Sequence, residues 1–121
     1  VNGDGTISDL EKGRMWQQND NGAKTWANSK TYCNNLVYSG YDDWYLPSDN
    51  ELCSIIEKGH GAPTINYLFV CSPTRYWTRT HTIRQAYPQD RYISWDFSTG
   101  QKKLETSKNN KYRCRCVRKI P

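Results

Sequence analysis

Between Trp26 and Leu52 the chain spells out two helix starts and the stop between them. Trp26, Lys30, Cys33 and Val37 recur at helical spacing, and Gly40 follows as a terminator, so a first helix is expected here. An aromatic segment, Gly40-Tyr41-Asp42-Asp43-Trp44-Tyr45-Leu46-Pro47, leads to Ser48-Asp49-Asn50-Glu51. That S-x-x-E pattern is a capping box: Ser48 and Glu51 each satisfy an orphan backbone N–H of a first turn, with Pro47 just outside. A second helix therefore opens at Ser48.

After these helices the pattern turns to strands. Arg75-Tyr76-Trp77-Thr78-Arg79 and Arg91-Tyr92-Ile93-Ser94-Trp95 interleave cations with aromatics, which predicts that Trp77 and Trp95 face a core. Asp96-Phe97-Ser98-Thr99-Gly100-Gln101 reads as a hairpin whose Gly100 suits the turn. Near the C-terminus Lys111, Arg113 and Arg115 alternate with Tyr112, Cys114 and Cys116, so a final strand is expected with cations outward and cysteines inward. Val117 interrupts the alternation, and a bend or two-sided burial is expected there. The whole is read as one α+β domain over residues 1–121, with two helices packed on twisted antiparallel strands. Hydrophobic residues make up only 36% of it, but five Trp and nine Tyr supply large buried surfaces.

Five cysteines with only two histidines and no C-x-x-C pair favour an oxidising compartment over a zinc site. On the expected strand Cys114 and Cys116 share a face, so either can meet Cys33 of the first helix. No apolar run approaches the roughly 18 residues of a membrane span. Val1 begins no signal peptide, so the chain is read as a mature fragment whose upstream sequence carries an export signal or a stalk.

Charge is divided unevenly along the chain. Residues 1–74 hold five Lys/Arg against nine Asp/Glu, a net of −4, and residues 75–121 hold twelve against three, a net of +9. The C-terminal part is thus the candidate binding surface, and polyanions are its natural partners. The residues expected to form it are Lys102, Lys103, Lys108, Lys111, Arg113 and Arg115, with Arg84 and Arg91 as secondary contacts. Arginine can grip sulfate or carboxylate oxygens with two parallel donors, and lysine acts as a point charge.

The order Tyr32-Cys33-Asn34-Asn35-Leu36, then Gly40 to Ser48, then Asn50-Glu51-Leu52 resembles the C-terminal domain family of the Legionella collagen-like adhesin. Asn2 to Asp9 and Gly13-Arg14-Met15-Trp16-Gln17 resemble its opening hairpin, Tyr76-Trp77-Thr78 its YWSS segment, and Arg115-Cys116-Val117-Arg118 its closing strand. Tyr45 stands where Arg is usual, and Thr78-Arg79 replace Ser-Ser. The resemblance implies a C-type-lectin-like fold and a disulfide from Cys33 to Cys116. Cys53 with Cys71 is then the expected second bridge, closing a short loop, and Cys114 is left over. The resemblance further implies a secreted or surface-displayed, non-catalytic adhesin domain for sulfated glycosaminoglycans, trimeric in the full-length protein. The alternative is a receptor for a protein or neutral glycan on lectin-like loops.

Other motifs fall short of a site. Asn2, Asp4, Thr6, Ser8 and Glu11 follow a calcium-loop spacing that lacks its first ligand, but Gly13 turns the chain instead of continuing a helix, and the resembling family uses this segment as a hairpin. Neither a metal nor another cofactor is expected. His60, His81 and the Asp42-Asp43 pair have no nucleophile pattern around them, so no catalytic residues are assigned.

Overall fold

The opening hairpin forms because Gly13 can take a left-handed φ of +69° and Asp9 Oδ1 accepts the Lys12 N–H across the turn. β1 (Thr6–Asp9) thereby pairs antiparallel with β2 (Arg14–Gln17), Thr6 opposite Gln17. In this computed structural model, which describes residues 2–57, 61, 64–66, 68–82, 91–105 and 107–121, β2 also pairs with β8 (Val117–Lys119). The two ends of the chain thus share a three-stranded sheet, order β1-β2-β8.

A five-stranded sheet takes the rest: β3 (Ala23–Lys24), β4 (Arg75–Thr82), β5 (Arg91–Asp96), β6 (Gln101–Glu105) and β7 (Tyr112–Arg113), in the order β3-β7-β4-β5-β6. Its pairs are antiparallel except β4 with β7, which meet in parallel at Tyr76 and Arg113. The β5–β6 hairpin closes as the sequence indicates, with Gly100 at φ +76° donating its N–H to Asp96 O.

Alternation along β4 and β5 divides the core in two. Tyr76, Ile93 and Trp95 join Phe97, Trp16, Val117 and Leu52 in one cluster, and Trp77 and Tyr92 join Cys33, Trp44, Leu46, Cys114 and Cys116 in another. Both tryptophans expected to turn inward do so, toward different clusters.

The helices α1 (Trp26–Asn34) and α2 (Asp49–Cys53) are short. Thr25 caps the first, and the full Ser48/Glu51 capping box starts the second. Only Ser29 and Cys33 of α1 are buried, a narrow face for a nine-residue helix. The helix is held at two points: Trp26 packs on Tyr92 and donates to the Thr78 carbonyl, and Cys33 is bonded to Cys116 just before β8.

Three expectations are corrected. Helix α1 ends at Asn34, so Val37 lies beyond it and is exposed; Ser39 and Gly40 both take positive φ and turn the chain back. Cys53 and Cys71 are free thiols, not a second bridge. Both pack at the margin of the first core cluster, where Cys71 Sγ is directed to the Ser72 carbonyl. The final strand is also not continuous: β7 stops at Arg113, and Cys114, Arg115 and Cys116 are all buried, so outward–inward alternation fails before it reaches Val117. Val117 is buried and flanked on both sides, by Trp16 of β2 and by a bridge to Tyr45.

Candidate functional site

The acidic and basic halves of the chain meet in space. Asp20 accepts from Arg113, Asp43 from Arg118, Asp49 from Lys102 and Glu51 from Arg79, each pair joining an acid before residue 74 to a cation after it. Much of the charge asymmetry is therefore spent on holding the molecule together.

All the expected contact residues except Arg84 have described positions. Arg115 is 1% exposed, contrary to the outward position expected of it. Its guanidinium donates to the carbonyls of Gln17, Gln18 and Val70 and lies over the rings of Phe69 and Tyr76. It is a core cross-link, and a polyanion cannot reach it. Arg113 donates to Asp20 Oδ1 at 3.0 Å, and Lys102 reaches Asp49 Oδ2 at 3.2 Å, both remaining partly exposed. Lys103 is half-buried on β6, sharing a face with Glu105 and lying near Asp96, while Lys108 and Lys111 are exposed in the β6–β7 connection. That connection is held at two points: midway the Lys108 carbonyl accepts the Trp26 N–H, and where β7 begins the Tyr112 hydroxyl donates to Glu105, which also binds Arg75. Arg91 opens β5 opposite Thr82. Arg84 and His60 lie outside the described residues.

Several carboxylates are held in the charged form. Burial pushes Asp20 up, but hydrogen bonds from the Tyr76 hydroxyl and the Gly22 N–H, with the Arg113 charge, outweigh it and leave its pKa below the ordinary carboxylate value. Glu51 behaves likewise, with burial opposed by the Ser48 N–H, the Tyr45 hydroxyl and Arg79. Asp43 is lowered by the Arg118 hydrogen bond.

A second gathering of cations was not foreseen from the sequence. Arg14 of β2, Arg79 of β4 and Lys119 of β8 converge around Tyr45, and Glu51 bridges the two arginines. Only long-range pairing brings them together, so spacing along the chain carries no trace of it. The calcium-like segment is closed on itself: Asp4 Oδ1 accepts the Thr6 N–H and hydroxyl, and Asn2 Nδ2 donates to Thr6 and Ser8. His81 stacks on Tyr92 and touches Trp26, a packing role. Among the described residues no group of three or more His, Cys, Asp or Glu is placed to hold a metal ion.

No curated protein matches the chain closely enough to be reported as a relative. The family described as the Lcl C-terminal domain matches residues 5–118, from the opening hairpin to β8, and includes the disulfide-tied helix, the capping box and the closing strand just described. The chain belongs to the Lcl C-terminal domain family, a family of adhesin-type domains and not of enzymes.

Proposed function

We propose that the domain is a non-catalytic adhesin module that binds sulfated glycosaminoglycans or similar polyanionic glycans. Its contact surface comprises Lys103, Lys108 and Lys111, with Lys102 and Arg113 contributing what their ion pairs leave exposed and Arg91 in a secondary position. The observation that carries this reading is the β6–β7 connection, where Lys108 and Lys111 stand in solvent with no carboxylate partner among the described residues. Anchoring of that connection at Trp26 and Glu105 limits the entropy lost when a ligand engages it. The residual field of the C-terminal half then attracts a polyanion, and salt weakens the attraction.

The helix–strand tie through Cys33 and Cys116 supports a C-type-lectin-like scaffold. Such a module works at the cell surface or outside the cell, and no helix among the described residues is long and apolar enough to cross a membrane. Assembly as a homotrimer in the full-length protein belongs to the same proposal.

The test is retention on heparin of the protein and of a Lys103→Glu/Lys108→Glu/Lys111→Glu variant. Early elution of the variant, with an unchanged circular dichroism spectrum, is the expected result. Equal retention moves the site elsewhere, and salt-resistant binding to a neutral glycan or a protein favours the receptor reading.

A further inference from the structure

We propose that the pocket formed by Tyr45, Arg79 and Lys119 is a separate oxyanion-binding site, taking one sulfate or carboxylate group of an acidic sugar. The pocket is an open depression of about 270 Å³. Its position follows from three pairings: the Tyr45–Val117 bridge, the β2–β8 register that sets Arg14 opposite Lys119, and the Arg79 N–H donated to Pro47 O.

Charge does not balance there. Arg14 Nε lies 3.6 Å from Glu51 Oε2 and Arg79 Nη1 lies 3.1 Å from Oε1, so two guanidiniums share one carboxylate. Glu51 is already saturated, accepting in addition from the Tyr45 hydroxyl at 2.7 Å and the Ser48 N–H at 2.9 Å. Lys119 is exposed and has no acidic partner among the described residues. The nearby acids are committed elsewhere, Asp43 to Arg118 and Asp49 to Lys102. Two guanidiniums therefore share one carboxylate and Lys119, lining the same pocket as Arg79, has none, so an incoming oxyanion supplies the missing charge.

Geometry favours a fixed site over a diffuse field. The Arg79 guanidinium is 5.1 Å from the Tyr45 ring centroid and donates to the Leu46 carbonyl as well as Glu51, which holds its plane while its side chain stays 46% exposed. A guanidinium held in this way presents its remaining N–H donors in one orientation, the arrangement that planar and tetrahedral oxyanions use. Lys119 lines the same pocket as a point charge. The ligand class rests on the polyanion reading above, but the pocket uses none of Lys103, Lys108 or Lys111.

The experiment is a nuclear magnetic resonance titration of the protein at low ionic strength, following the Arg79 Nε–Hε signal and the Tyr45 and Lys119 amides. Sodium sulfate and sodium glucuronate are the probes, with sodium chloride at matched ionic strength as the control. Saturable shifts with sulfate, glucuronate or both, absent with chloride, are expected, and the two arms tell a sulfated from a uronic-acid ligand. Lys119→Gln, which breaks no ion pair among the described residues, should weaken binding about fivefold, and Arg79→Lys should weaken it while keeping the charge. Shifts that chloride reproduces, or that survive Lys119→Gln unchanged, overturn the proposal. If the titration fails while heparin retention still depends on Lys108 and Lys111, only the pocket is lost. If sulfate saturates the pocket but the lysine triple variant is retained like the parent, the β6–β7 reading fails and the pocket stands.

Discussion

At the residue scale Arg115 illustrates what alternation can and cannot reveal. Its spacing from Lys111 and Arg113 marks it as outward-facing, but that inference needs an unbroken strand, and β7 ends at Arg113. Beyond that point the side chain is buried, enclosed by three carbonyls and two rings. Arg115→Ala should cost about 3 kcal/mol or more in urea unfolding, because the buried carbonyls of Gln17, Gln18 and Val70 lose their donor. A loss below about 0.5 kcal/mol, the range of surface substitutions, would show that the guanidinium is not a core cross-link. The capping box, by contrast, was fully legible, since Ser48 and Glu51 act within one turn and need no distant partner. Tyr45 and Arg79 lie against each other, a relation visible only after folding.

At the element scale both helices could be read from the chain, α2 from its capping box and α1 from helical spacing, although the Gly40 stop lies beyond the end of α1 at Asn34. Sheet order could not: β2 with β8 and β3 with β7 join segments from opposite ends of the sequence. The link from α1 to the segment before β8 came from the family resemblance, and residue spacing alone left Cys114 and Cys116 as equal candidates. Closing a loop with a sequence separation of 83, the Cys33–Cys116 bond contributes about 4.5 kcal/mol in the chain-entropy model. A Cys33→Ala/Cys116→Ala variant should unfold at markedly lower urea concentration, with α1 the first element to lose amide protection in hydrogen exchange. Uniform loss of protection across the molecule would mean that the Trp26 contacts hold α1 without the bond.

At the scale of the whole molecule, the charge division read from the sequence is real, but folding consumes part of it. Four ion pairs among the described residues join the acidic half to the basic half. This has a consequence for acid stability. Asp20, Asp43, Glu51 and Asp96 have pKa values lowered on folding, so their contribution is complete above the unfolded values near pH 4 and is lost as pH falls through the lower folded values. The melting temperature should hold steady from about pH 7 to 5 and fall below about pH 4, with a shallower fall in Asp20→Asn. A flat profile down to pH 2 would show that Asp20, Asp43 and Glu51 do not tie the halves together. Cations left over after that pairing, Lys108 and Lys111 foremost, are the ones available to a ligand.

Heparin-column retention across a sodium chloride gradient, with a non-sulfated polysaccharide column as control, tests the adhesin reading most directly. The prediction is elution well above about 0.15 M salt on heparin, no retention on the control, and a shift to lower salt for Lys103→Glu/Lys108→Glu/Lys111→Glu. Elution of the parent protein at or below that salt, or equally strong retention on the control, would contradict a dedicated surface for sulfated glycans.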